Sequence, residues 1–222
     1  GEMVATLIAA LALQAPNTLT EAEKKAGWVL LFDGKSPAGW HNYTSQGVGK
    51  GWKIEDGILT SADPGTAGDI VTDQKFDWFE LTLDFRNTPG GNSGIMIRVG
   101  EDGETAWQTG PEIQIYDHKP QDGVETTGYL YQLYKPTFDA AKPAGEWNQL
   151  RIVVDPKLCF TELNGKRYYE FVYGSEDFWD RVKKSKFSKY PMFGKIEKGA
   201  IGIQGDHGVV SFRNIKVRPI KP

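Results

Sequence analysis

Asn92-Ser93-Gly94-Ile95-Met96-Ile97-Arg98 is followed, after a loop, by Pro111-Glu112-Ile113-Gln114-Ile115-Tyr116-Asp117. Taken two residues at a time, the first run puts Ser93, Ile95 and Ile97 on one face and Gly94, Met96 and Arg98 on the other. The second puts Ile113 and Ile115 on one face and Glu112, Gln114 and Tyr116 on the other. Alternation of this kind marks strands with one dry and one wet side. The wet side of a half-solvated antiparallel sheet carries polar residues merely because it meets water. This one carries an Arg, a Glu, a Gln and a Tyr, a set that also suits gripping a polar ligand.

The same alternation recurs on both sides of this pair. Phe79 to Arg86 places Leu81, Leu83 and Phe85 inward, and Ala200 to Gln204 places Ile201 and Ile203 inward. With Ile95, Ile97, Ile113 and Ile115 these residues are expected to fill the space between two sheets. Trp52 to Ser61 reads as a hairpin turning at Asp56-Gly57, and Leu158 to Tyr169 as another turning at Asn164-Gly165, two-residue sequences that favour tight hairpin turns. Trp28 to Phe32, Asp69 to Thr72, Gln149 to Val154 and Val209 to Val217 read as further strands, and Tyr129 to Tyr134 is aromatic at alternate positions. Helix is sparse. Thr20 and Glu23 have capping-box spacing for a short helix ending near Gly27, and Glu176 to Lys189 is the one long helical stretch past the N-terminal region. About a dozen strands with regular turn signals predict an all-β sandwich or barrel. No internal repeat or linker divides the chain, so residues 18–222 are expected to form one domain.

At 222 residues the chain can enclose a substantial core. A net charge of −3 argues against nucleic acid, which needs concentrated Lys and Arg. Lys183, Lys184, Lys186 and Lys189 read as a solvated face. The single cysteine, Cys159, excludes an internal disulfide and a cysteine-rich zinc site, and its apolar neighbours mark it as a core residue. Met3 to Ala15 has the length of a signal-peptide core, but Glu2 rather than a basic residue precedes it. It is too short to cross a bilayer, and residues 1–17 are expected to form a helix or arm packed on the domain; no other segment could cross a membrane. Dinucleotide, P-loop and G-x-S-x-G motifs are all absent, so neither nucleotide binding nor serine-hydrolase chemistry has support.

Several stretches together carry a family resemblance. They are LFDGK to GW at Leu31 to Trp40, the WKIEDGIL hairpin, PGGNSGIMIR, PEIQIYD, TGYLYQLY, KPAGEWNQLRI, LNGK, and FGKIEKGAIGIQGDHGVVSFRNI. In this order and spacing, over about residues 18 to 220, they resemble the 3-keto-disaccharide hydrolase family. The resemblance implies a concanavalin A-like sandwich of two curved antiparallel sheets with a carbohydrate-binding cleft on the concave face. It also implies export to the periplasm or cell exterior, from which the missing basic leader residues depart.

If the wet faces of the two quoted strands line such a cleft, Arg98, Glu112, Gln114 and Tyr116 share it with Gln204. His207 follows on the turn Gly205-Asp206-His207-Gly208, and His118 lies just past Tyr116 on the same parity. Trp107 and Tyr131 offer flat faces for sugar rings; the alternative for both is core or loop packing. A conventional glycosidase needs two carboxyl groups flanking the scissile bond. Glu112 stands out alone, since Asp117 has the opposite parity and Asp206 lies on a turn. A 3-keto sugar needs less: its ketone acidifies the C2 proton, so one base can remove it and expel the glycosidic group, after which water adds. Glu112 or His207 would be that base, the other binding substrate or metal, with Arg98 or a bound cation stabilising the enolate. The alternative for His207 is backbone hydrogen bonding in its turn. No cofactor motif is present; a divalent cation is a further candidate, because Glu112, His118, His207 and several Asp side chains supply ligand atoms, though no H-x-x-x-H or EF-hand spacing organises them. A non-catalytic carbohydrate-binding module is the other reading, since the same sandwich serves lectins.

Overall fold

The computed structural model of the chain describes residues 14–117 and 126–222. His118, most of the polar stretch 121–127 and nearly all of the expected N-terminal arm lie outside the described residues. The end of that arm is pinned to the fold: Asn17 and Asn214 exchange hydrogen bonds, each backbone N–H donating to the other's side-chain oxygen, at 2.6 and 2.9 Å.

In chain order the strands are β1 (Val29–Leu30), β2 (Trp40–Asn42), β3 (Trp52–Glu55), β4 (Ile58–Ser61), β5 (Ile70–Phe76), β6 (Phe79–Asn87) and β7 (Asn92–Val99). They continue as β8 (Glu112–Tyr116), β9 (Trp147–Val154), β10 (Cys159–Leu163), β11 (Lys166–Phe171), β12 (Gly199–Ile203) and β13 (Val210–Pro219). Among the described residues three short α-helices accompany them: α1 (Glu21–Ala26), α2 (Pro64–Ala67) and α3 (Glu176–Lys184). One sheet runs β11-β10-β9-β6-β13-β4-β3, with β1 also paired to β13; the other runs β2-β5-β12-β7-β8. Every pairing is antiparallel. The architecture is the expected concanavalin A-like sandwich.

The local signals act as their chemistry requires. Thr20 and Glu23 form a reciprocal capping box, and Gly27 ends α1 at φ 94°. Asp56-Gly57 and Asn164-Gly165 all have positive φ, the backbone that a two-residue hairpin turn demands. Glycine adopts it without cost, and Asp and Asn tolerate it better than other residues. α3 is shorter than the sequence suggests: its last turn gives way at Ser185 to a 3-10 turn over Lys186–Lys189. Tyr129 to Tyr134, alternating in sequence, folds as a turn with Gln132 at φ 71° rather than as a strand.

Leu81, Leu83, Phe85, Ile95, Ile97, Ile113, Ile115, Ile201 and Ile203 are all buried between the sheets, as is Cys159. Fully burying each aliphatic side chain contributes roughly 1.5–3 kcal/mol. The first sheet turns charge to solvent on its other side, where Arg151 bridges Glu80 and Glu162 and Arg218 also meets Glu80. The second sheet's outward face is different. Val71, Met96, Val99, Ala106 and Ala200 form a separate apolar cluster there, beneath Tyr43 and Trp107. That face carries the site.

Candidate active site

β8 lies against β7 in the register Met96–Glu112, Gly94–Gln114 and Asn92–Tyr116, and β12 lies on β7's other side. Outward-facing residues of these three strands meet the Gly205–Gly208 turn, Tyr131 and the 3-10 turn after α3. The result is a cleft of about 300 Å³ lined by Asn92, Trp107, Glu112, Gln114, Tyr131, Lys186, Phe187, Gln204 and His207. Of the residues expected to share a site, Glu112, Gln114, Gln204, His207, Trp107 and Tyr131 are brought together.

Arg98 is not. A bulge interrupts β7: Met96 pairs with Gly202 and Val99 with Ala200, so three steps on β7 match two on β12. Arg98 is the extra residue, at φ 49°. The insertion returns Val99 to the outward face and turns Arg98 away, with its guanidinium between the Trp78 and Tyr173 rings. A one-residue slip reverses every later side chain. Tyr116, half-buried at the far end of β8 opposite Asn92, does not line the cleft either.

Glu112 reaches its position because Gly94 has no side chain. A Cβ at residue 94 would come within 2.5 Å of the Glu112 carboxyl. Among the described residues the Glu112 Oε1 and Gln114 Oε1 atoms, closed off from solvent, have no hydrogen-bond partner. Two buried acceptors without donors cost free energy unless a ligand supplies the protons, and sugar hydroxyls are such donors. Burial pushes the Glu112 carboxyl up to about 7; the negative charge of Asp69 adds to this, and His207 and Lys186 oppose it. At neutral pH it therefore exchanges a proton readily.

Behind His207 stands a chain of carboxyls. His207 Nδ1 bonds to Asp206 Oδ1, which holds the imidazole above its ordinary pKa and Asp206 below its own. Asp69 accepts the Gly205 backbone N–H at 3.0 Å. Burial pushes Asp69 up to about 6, and the negative charge of Asp206 and its hydrogen bond raise it too, while Asp206 is held below its own ordinary value. The turn is wedged in place: a Cβ on Gly205 would lie 2.1 Å from the Gly68 carbonyl oxygen. Lys186 donates to the Tyr131 hydroxyl at 3.2 Å and lies 4.5 Å from that ring's centre. Tyr131 and Trp107 each pack against Phe187, and Trp107 also meets Tyr190 edge-on. They line the cleft and brace its wall at once. Among the described residues no three His, Cys, Asp or Glu side chains gather in a metal-binding group.

The family described as the 3-keto-alpha-glucoside-1,2-lyase-like domain matches residues 27–218. The chain belongs to that family. A 3-keto-disaccharide hydrolase of Bacteroides thetaiotaomicron is 32% identical to it, over 86% of this chain and 78% of that protein. The crystal structure of a candidate glycosyl hydrolase from Parabacteroides distasonis superposes with a TM-score of 0.84 at 31% identity, covering 93% of this chain and 100% of that one. A carbohydrate-binding module from Bacillus subtilis shares the fold alone, with a TM-score of 0.52 at 11% identity over 81% of this chain and 95% of the module. Among the described residues no helix is long and apolar enough to cross a membrane.

Sequence reasoning missed Asp69 and Lys186. Asp69 looks like the first residue of a strand, and the backbone group it holds lies 136 positions away. Lys186 looks like one charge in a basic run, yet it alone of the four lysines lines the cleft.

Proposed function

We propose that the cleft binds a 3-keto-glycoside and cleaves its glycosidic bond by elimination followed by hydration. One observation carries this reading: among the described residues lining the cleft, Glu112 is the single carboxyl, and its pKa of about 7 fits proton transfer at neutral pH. The paired-carboxyl scheme of most glycosidases lacks its second member there. An elimination needs one base, one acid and a stabilised enolate.

Glu112, as carboxylate, takes the C2 proton, and the electrons spread onto the C3 oxygen. The Lys186 ammonium is the cation at hand to stabilise that oxygen, the part earlier assigned to Arg98. Collapse of the enolate breaks the C1–O bond and forms the C1–C2 double bond. His207, protonated under the influence of Asp206, gives its Nε2 proton to the departing oxygen. Water then adds to C1, losing a proton to His207, while Glu112 returns its proton to C2. Both groups end as they began, and the products are the 3-keto sugar and the free aglycone. Gln114 and Gln204 accept or donate to ring hydroxyls. The kinship with a 3-keto-disaccharide hydrolase supports the same substrate class.

The test is incubation of the protein with a 3-keto-glucoside and with its unoxidised parent. Release of aglycone from the first alone is expected. Cleavage of both would demand a second carboxyl and overturn the elimination scheme; binding of both without turnover would leave a carbohydrate-binding module.

A further inference from the structure

Arg98, turned from the cleft by the bulge, lines a second cavity of about 530 Å³ between the β5–β6 turn, the β11–α3 connection, α3 and residues 194–197. The residue is 5% exposed. Its Nε and Nη2 both donate to the Asp77 carbonyl oxygen, at 3.0 and 2.8 Å, and its two faces are covered by Trp78 and Tyr173, 4.4 and 4.3 Å from the ring centres. Among the described residues no carboxylate lies within ion-pair distance of the guanidinium, whose remaining polar neighbour is the Tyr173 hydroxyl.

A buried guanidinium without an anion is costly, because neutral partners replace only part of its hydration. Its backbone sits at φ 49°, a conformation that a non-glycine residue holds at a cost and that gathers at functional sites. The flat ends Nη1 and Nη2 form a fork whose geometry matches a carboxylate. Around it stand half-buried Trp78, Tyr173 and Trp179. Trp179 meets Phe178 edge-to-face, with ring centres 5.0 Å apart, and lines the cavity beside Arg98. Lys195 adds a cation to the wall. Asp77 and Glu197 are there too, but Asp77 Oδ1 already accepts the Trp78 backbone N–H at 2.6 Å and Glu197 is exposed. The wall has no net charge, so selectivity must come from the Arg98 fork itself.

We propose that this cavity is a second carbohydrate site, selective for a sugar that carries a carboxylate, with the carboxylate on the open edge of Arg98 and the ring against Trp179. It is separate from the Glu112 cleft and independent of glycoside cleavage.

The experiment adds glucuronate, glucose or inorganic phosphate to the full chain and follows the indole signals of Trp78 and Trp179 by NMR. Saturable shifts with glucuronate are expected, with glucose and phosphate each weaker by at least about tenfold, the scale of a charge-assisted fork or of a lost ring contact. Arg98→Gln should abolish the shifts. Because that variant also loses the tie to Asp77 and can unfold, Trp179→Ala serves as the second: it should weaken glucuronate binding several-fold with the melting temperature held. No shift with glucuronate, equal response to glucose, equal response to phosphate, or unaltered binding in Trp179→Ala would each overturn the proposal.

Discussion

Glu112 concentrates the site's chemistry in one atom pair. Its folded pKa of about 7 lies above the ordinary 4.5, so between those values the folded chain holds a proton that the unfolded chain releases. Stability from this group is therefore present at low pH and lost as pH rises through about 7. Asp69, raised from 3.8 to about 6, acts with the same sign over a lower window. Glu112→Gln keeps the shape and removes the titration. Activity on a 3-keto-glycoside should fall by about 10²-fold or more, the usual loss for a general base. The melting temperature should hold or rise, and its advantage over the wild type should widen between pH 5 and pH 8. Full activity with a stable fold would remove Glu112 from the mechanism and leave His207 as the base. Asp69 invites a different substitution, since it touches no lining group directly. Asp69→Asn can still accept the Gly205 N–H and donate to Asp206, so His207 should keep its raised pKa in NMR titration. Asp69→Ala releases the turn; the His207 pKa should drop toward 6.5 and kcat should fall by about tenfold or more with KM little changed. A His207 titration unmoved by Asp69→Ala would show that Asp206 orients the imidazole unaided.

The strand pair β7–β8 shows how far pattern carries and where it stops. Alternation placed Ile95, Ile97, Ile113 and Ile115 inward and Glu112 and Gln114 outward, because a pleated strand permits no other assignment once one face is dry. It misplaced Arg98 because a bulge leaves no mark in a run of alternating residues; the extra position is defined only by the partner strand. Lys186 was hidden for a similar reason, since which lysine of a basic run faces the cleft depends on where α3 stops. Gly94 was legible only as a permissive residue, though its absent Cβ is what admits the Glu112 carboxyl. Gly94→Ala should act through that neighbour. Its backbone is extended and fits alanine, so the sheet should form, with the melting temperature lowered by a few degrees for about 1 kcal/mol of crowding. The Glu112 side chain must move, and activity should fall by about tenfold or more. Loss of activity with the Glu112 pKa unchanged by NMR titration would place the fault elsewhere.

Across the whole molecule the two sheets divide the labour. The larger sheet turns an ionic lattice outward, with Glu80 between Arg151 and Arg218 and Glu162 between Arg151 and Arg167. The smaller one turns outward the apolar cluster and the cleft. The core between them should dominate stability, while the lattice, whose arginines are partly exposed although Glu80 and Glu162 are largely covered, adds less, since solvent screens it and long side chains lose entropy to form it. Leu81 is fully buried on β6, paired on one side with Ile152 of β9 and on the other with Val217 of β13. Leu81→Ala should open a cavity costing about 2–5 kcal/mol. For a chain of this length that lowers the melting temperature by roughly 4–20 °C, at about 2–4 °C per kcal/mol. Arg167→Gln, at the lattice's edge with its side chain 39% exposed, should shift it by no more than about 2 °C. Neither residue touches the cleft, so below the transition both variants should keep the wild-type kcat on a 3-keto-glycoside. If Arg167→Gln cost as much as Leu81→Ala, the ionic face rather than the intersheet core would be holding the sandwich shut, and high salt would then lower the wild type's melting temperature by a similar amount.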